Sequence, residues 1–229
     1  MVFPMNAPAQ SLMRNEIYAT LKREILCCAI LPGAELREAE LAERFAVSKS
    51  PIRDALLRLE SDRLVVVHPR KGYQAAPVSL SDAADLFELR AMLEGACARD
   101  AAEHAADGAL KTLDRFRSLD TFAASASDDP APSFVLYNRG FHLAITELCS
   151  NKRLREATVD LIEQFDRLVI VSLQNGAPEG HSKLIAEHID IIDAVQARDG
   201  RLAARRLSDH VTRARKRVLA ALSRFAIVP

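Results

Sequence analysis

Apolar residues recur at helical spacing along most of this chain, and one short stretch breaks the pattern. From Arg14 to Cys27 the positions Ile17, Leu21 and Ile25, with Cys28 just beyond, fall on one face and predict a helix. Glu38 to Leu57 predicts two short amphipathic helices joined by a tight Ala46-Val47-Ser48 turn. In the first, Leu41, Ala42 and Phe45 form the stripe to be buried, and Glu38, Glu40, Glu43 and Arg44 are left for solvent. The second is expected to start with Ser50 as N-cap and Pro51 at the first helical position, where a missing N–H costs nothing. Ile52, Ala55, Leu56 and Leu59 then point inward. The period now changes: Leu64-Val65-Val66-Val67 reads as a strand, Arg70-Lys71-Gly72 as a basic turn, and Tyr73-Gln74 as a short return strand. The helix pair alone could be an ordinary helical hairpin. Followed by this β-hairpin and preceded by a third helix, it predicts a winged helix-turn-helix over residues 14–76, behind a flexible N-terminus of residues 1–13.

Pro77 marks a boundary, with a linker over residues 77–80, and Ser79 with Asp82 three residues later is a helix-start signal. Beyond it the pattern is helical throughout, broken at Asp107-Gly108, at residues 127–132, at Cys149-Ser150-Asn151, at residues 175–180 and at Asp199-Gly200. The expected helices are 80–106, 109–125, 133–149, 152–174, 181–198 and 200–226. Short connections favour antiparallel neighbours, so residues 81–226 should form a compact antiparallel all-helical bundle. The fold class is mainly α.

Composition changes this picture little. A chain of 229 residues with 49% hydrophobic content suits one large or two smaller domains. The formal net charge is zero, which gives no general attraction to nucleic acid, but residues 48–71 hold six Lys/Arg against three Asp/Glu. Any DNA footprint is therefore a local stripe. Lys49, Ser50 and Arg53 fall in or just before the first turn of the second helix, the part that enters the major groove in such a unit. Arg70, Lys71 and Gly72 at the hairpin tip suit phosphate contact or close backbone approach. No apolar run reaches the length of a membrane span, and the N-terminus lacks a signal-peptide pattern, so a cytoplasmic protein with no membrane partner is expected. Cys27, Cys28, Cys97 and Cys149 lack metal-finger or redox spacing and read as free thiols.

Three histidines stand on apolar faces of three different bundle helices: His142 with Asn138, Ile145 and Cys149; His188 with Leu184, Ile191 and Val195; His210 with Ala203, Leu207 and Ala214. Each buried ring needs a polar partner, found either in separate hydrogen bonds or in one shared metal. Asn138, one turn before His142, can aim its carbonyl oxygen at the same place. Three imidazoles and an amide oxygen suit zinc, nickel or a similar divalent ion and leave positions open. No Glu or Asp is placed by spacing beside the histidines as a general base.

LREAELAERFAVSKSPIRDALLRLE and the following VVVHPRKGY resemble the winged helix of the GntR transcription regulators. LFELRAMLEGACARDAA, NRGFH, CSNKRL, EHIDIIDAVQARD and the late His210 resemble the FadR-type ligand-sensing domain known as FCD, so the likeness spans about residues 14–225. The resemblance implies a homodimeric, effector-responsive transcription factor whose bundle holds a metal and a small organic acid. Lys49, Ser50 and Arg53 match its groove-reading positions, His68 and Gly72 its wing, and Arg37 is implied as a phosphate contact. Lys49 stands where the family usually has Arg and gives up bidentate recognition of guanine, which shifts specificity toward Arg53. Ala46 replaces a usual turn Gly, so the turn either avoids positive φ or accepts strain. Asn138, His142, His188 and His210 match the family's metal ligands, with Asn138 replacing a frequent Asp and removing one negative charge. Arg90 matches an inward-facing Arg able to pair with an effector carboxylate; its other reading is an ion pair with Glu94 at i+4.

Three functions follow from these residues. The first is a repressor that binds an inverted-repeat operator in double-stranded DNA as a homodimer and answers a small carboxylate metabolite. The second is a metalloenzyme using the three-His site, and the third a regulator of the same fold without a metal.

Overall fold

The computed structural model describes residues 7–119, 133–174 and 181–223, and the chain divides into two compact units, Met1–Val78 and Ser79–Pro229. The first unit runs α1 (Ala7–Leu26), β1 (Glu35–Leu36), α2 (Glu38–Arg44), α3 (Lys49–Ser61), β2 (Val65–His68) and β3 (Gly72–Ala75). Its core joins α1, α2 and α3 to the inner face of the sheet: Ile17, Leu21, Ile25, Leu41, Ile52, Ala55, Leu56, Leu59 and Val65 are all buried. All but Val65, a strand residue, are residues whose spacing predicted the helices.

Three local features differ from the sequence-based expectation. First, α1 begins at Ala7, inside the stretch read as a flexible arm, and not at Arg14. Pro8 falls in its first turn, where no N–H partner is needed, so the helix can start there despite the proline. Second, the N-cap of α3 is Ser48, with extended backbone, and not Ser50. Pro51 then sits at the third helical position, still within the turn whose N–H groups lack helical partners. Third, the sheet has a further strand, β1, too short to show alternation; it pairs antiparallel with β3, Leu36 opposite Tyr73, giving the order β1-β3-β2.

The second unit runs α4 (Leu80–His104), α5 (Asp107–Lys111), a 3-10 turn (Thr112–Phe116), α6 (Ser133–Glu147), α7 (Lys152–Gln174), α8 (His181–Gln196) and α9 (Gly200–Leu222). Ser79 caps α4 by accepting from the Asp82 amide. Asp107-Gly108, expected as a break, instead opens α5: an acid in the first turn complements the helix dipole, and a Cβ at Gly108 would meet nothing. The single helix expected over 109–125 is thus a short α segment that tightens into a 3-10 turn, anchored by buried Leu110, Leu113 and Phe116. The expected helix ends at residues 125 and 226 lie outside the described residues. Ala98, Phe116, Tyr137, Phe141, Ile145, Ile191, Val195 and Leu207 form the bundle core. Cys28, Cys97 and Cys149 are buried and in no disulfide, and Cys27 is partly exposed. Among the described residues no helix is long and apolar enough to cross a membrane.

Candidate functional site

In the first unit, Arg37, Lys49, Ser50, Arg53, His68, Arg70, Lys71 and Gly72 are all exposed. The lower half of α3 is fixed by its buried stripe, which leaves Lys49, Ser50 and Arg53 on the outward face of its first turns. Arg53 forms a fork with Glu38 of α2, Nε to Oε1 at 3.0 Å and Nη2 to Oε2 at 2.8 Å. This hydrogen-bonded guanidinium holds the Glu38 carboxyl below its ordinary range. Arg37 is shared between Glu35 at 2.9 Å and Glu40 at 3.2 Å. Both candidate DNA contacts are therefore matched by carboxylates in solvent, where such pairs exchange readily for phosphate. At the wing, His68 faces Gly72 across the hairpin, and its Nε2 lies 2.8 Å from Gln74 Oε1. Arg70 and Gly72 adopt φ of +67° and +102°, which turns the chain tightly and presents Lys71 at the tip. Ala46 takes φ +52°, so the turn accepts the left-handed conformation without glycine.

In the second unit the three histidines come together. His142, His188 and His210 are 2%, 0% and 1% exposed, and one ring nitrogen from each lies within 4.8 Å of the others. α6, α8 and α9 each contribute one ring. His188 stacks on Phe141, with ring centroids 3.7 Å apart, and this locks its plane.

Hydrogen bonding then assigns the tautomers. His210 Nδ1 is 2.7 Å from Glu187 Oε2, and His142 Nδ1 contacts Glu94 Oε2. Burial would raise both carboxyls, but His210 and Arg213 beside Glu187, and Arg90 and His142 beside Glu94, outweigh it and hold both well below the usual range. An ionised carboxylate only accepts, so both Nδ1 atoms carry the proton. Tyr137 donates its hydroxyl to the Phe116 carbonyl at 2.6 Å, which leaves its oxygen to accept from His188 Nδ1 at 3.2 Å. Each Nε2 is therefore a lone pair. His188 Nε2 and His210 Nε2 face each other at 3.3 Å with no proton to share. Burial pushes all three imidazoles down, His210 to about 4, so they are in the neutral, ligating form. Converging imidazole lone pairs, each ring anchored through its other nitrogen, are what a divalent metal requires. Asn138, 5% exposed, stands one turn before His142 on α6.

Arg90 forms the i+4 ion pair with Glu94. Its Nε donates to Glu94 Oε1 at 2.5 Å, and its guanidinium lies 3.8 Å over the Phe165 ring. Its Nη2 is buried with no hydrogen-bond partner among the described residues, which is costly to leave unmet.

Two carboxylates that spacing did not place beside the histidines, Glu94 and Glu187, touch two of them. Both lie on the Nδ1 side, away from the converging lone pairs, and so orient the rings. Glu187 adjoins His188 in sequence yet pairs with His210, and Glu94 was legible only as a partner of Arg90. Tyr137 carried no signal beyond adjacency to Asn138.

Residues 13–74 match the bacterial regulatory proteins of the gntR family, and residues 85–213 match the FCD domain. The chain is 27% identical over 199 residues to the HTH-type transcriptional repressor RspR of Escherichia coli K12, covering 87% of this chain and 86% of that protein. It is 29% identical over 208 residues to the HTH-type transcriptional repressor GlaR of the same strain, covering 85% and 90%. In fold it is similar to E. coli McbR/YncC, with a TM-score of 0.74 at 21% identity, covering 93% of this chain and 98% of that one. The matched families and relatives are transcription regulators and not enzymes, which sets the metalloenzyme reading aside. With an FCD domain matched over more than half of its length and a gntR-type reading head before it, the chain belongs to the GntR family of DNA-binding transcription regulators.

Proposed function

We propose that this regulator is a repressor, active as a homodimer on an inverted-repeat operator, and released by a small organic acid that binds beside a divalent metal in the helical bundle. The observation that carries the reading is the approach of the Nε2 atoms of His188 and His210 to 3.3 Å, with His142 beside them; the tautomers argued above leave both without a proton. Two buried lone pairs 3.3 Å apart repel unless a cation lies between or beside them. His142, His188 and His210, with Asn138 as the fourth ligand, would hold zinc or nickel; such an ion neutralises the lone pairs and offers open positions to an anionic oxygen. Arg90 supplies a second anchor through its unpaired Nη2, favouring a carboxylate in an otherwise apolar bundle.

On the reading head, Arg53 reads a base edge, Lys49 and Ser50 flank it, and Arg37, His68, Arg70, Lys71 and Gly72 position the protein on the backbone. Two-fold symmetry doubles a site that one winged helix reads too briefly for specificity. An acid regulates only by binding one arrangement of the two heads better than the other, so its affinity and that of the operator are coupled.

Operator fragments recovered by selection, titrated with and without metal and carboxylic acids, test this directly. Chelating the metal is expected to abolish acid-induced release while operator binding persists. Release that survives metal removal, or binding as a monomer to an asymmetric site, would contradict the corresponding half of the reading.

A further inference from the structure

The two histidines hydrogen-bonded to carboxylates sit in matching relays. On one side Arg90, Glu94 and His142 are linked through the two oxygens of Glu94. On the other, Glu187 accepts from His210 through Oε2 and from Arg213 Nε at 2.8 Å through Oε1. Arg217 approaches the same Glu187 Oε2, but its Nη2 stays 4.0 Å away, beyond a hydrogen bond. This Nη2 is buried, as is that of Arg90, and neither has a hydrogen-bond partner among the described residues. A buried guanidinium donor without a partner is costly to leave unmet.

The two arginines also stand toward the same end of the bundle. α4 and α9 run antiparallel: Gly200 is opposite Arg99 and Glu103, while Ser208 is opposite Gly95 and donates to the Ala91 carbonyl at 2.6 Å. Moving toward the C-terminus of α9 is therefore moving toward the N-terminus of α4. Arg90 precedes Glu94 by four residues, and Arg217 follows His210 by seven. Both are thus displaced from the histidine layer in the same direction, one from each wall.

Resting on the effector reading above, we propose that Arg217 is a second anion anchor and that the effector is a small dicarboxylate, with one carboxylate at the metal and Arg90 and the other on Arg217. A monocarboxylate would leave the Arg217 donor unmet.

Calorimetric titration of the zinc-loaded full-length protein with acetate and with malonate, succinate and glutarate tests this. The best diacid is expected to bind at least about tenfold more tightly than acetate, the gain of one charged hydrogen bond. Arg217→Gln should bring that diacid down to the level of acetate, leaving acetate affinity and zinc content unchanged, and Arg217→Lys should keep part of the gain. Arg213→Gln, which removes a donor already paired, should retain the preference. Acetate binding with no preference for any diacid, or a preference that survives both Arg217 variants, overturns the proposal and spares the effector reading. Failure of all four acids to bind zinc-loaded wild type overturns both.

Discussion

The same two residue types meet in both units of this protein with opposite consequences. Arg53 and Glu38 join α3 to α2 on the reading head, with side chains 57% and 21% exposed; Arg90 and Glu94 join one turn of α4 to the next at 1% each. In solvent, attraction, hydration and side-chain entropy nearly cancel, so the outer pair is readily exchanged, as the base-reading role proposed for Arg53 requires. In the bundle neither charge can fall back on water, so the pair is held by geometry, and Glu94 must also satisfy His142. The wet arginine can let go of its partner at little cost, and the dry one cannot.

The largest expected effect comes from breaking the inner pair. Glu94→Gln leaves a buried guanidinium without its anion and should destabilise the protein by about 3–5 kcal/mol, as read from the urea midpoint of unfolding. Zinc content should fall as well, because Gln keeps one acceptor oxygen for the two donors, Arg90 Nε and His142 Nδ1, that Glu94 serves, and the His142 tautomer is no longer held. A midpoint shift as small as that of an exposed pair would erase the contrast.

The outer pair is probed through DNA. Arg53→Ala should weaken operator binding about ten- to a hundredfold and relax base preference at one position per half-site. Lys71→Ala should instead weaken all sequences similarly and lower the salt slope by about one. Identical specificity profiles for the two variants would erase the division between base reading and phosphate positioning.

Glu38→Gln sharpens the comparison further. The urea midpoint should not move, while affinity for non-operator DNA rises about fivefold, the value of one charge at 4 Å in water. The operator preference should narrow, because Arg53 loses the fork that orients it. A clear fall in stability would place this pair in the class of Arg90 and Glu94.

The smallest effect is expected in the turn between α2 and α3. Ala46→Gly relieves a left-handed φ of +52° at the cost of a more flexible unfolded chain, for a net gain of about 0.5 kcal/mol. Destabilisation would mean that the Ala46 methyl packs usefully.

Much of the reading head is legible in the order of its residues, because its information is local. Leu41, Ile52, Leu56 and Leu59 repeat at helical spacing, the strand residues are β-branched, and a basic turn ends in glycine. The exceptions are equally local in cause. Ser48 and Ser50 are both chemically able to cap α3, and Pro51 tolerates any place in the first turn, so the residues do not distinguish the two starts. β1 is two residues long, and its existence depends on β3 standing beside it.

In the bundle the sequence determined which faces turn inward, and so that His142, His188 and His210 would be buried. That follows from periodicity within each helix, which needs no knowledge of the neighbours. Partnership was decided only by packing. Glu94 and His142 are 48 residues apart, Tyr137 and His188 are 51, and His188 meets His210 across 22. Which side chains touch depends on the rotation and axial register of one helix against the next, set by bulk and close approach at positions such as Gly95 against Ser208. A helical repeat specifies a face; only the assembled bundle specifies what that face meets.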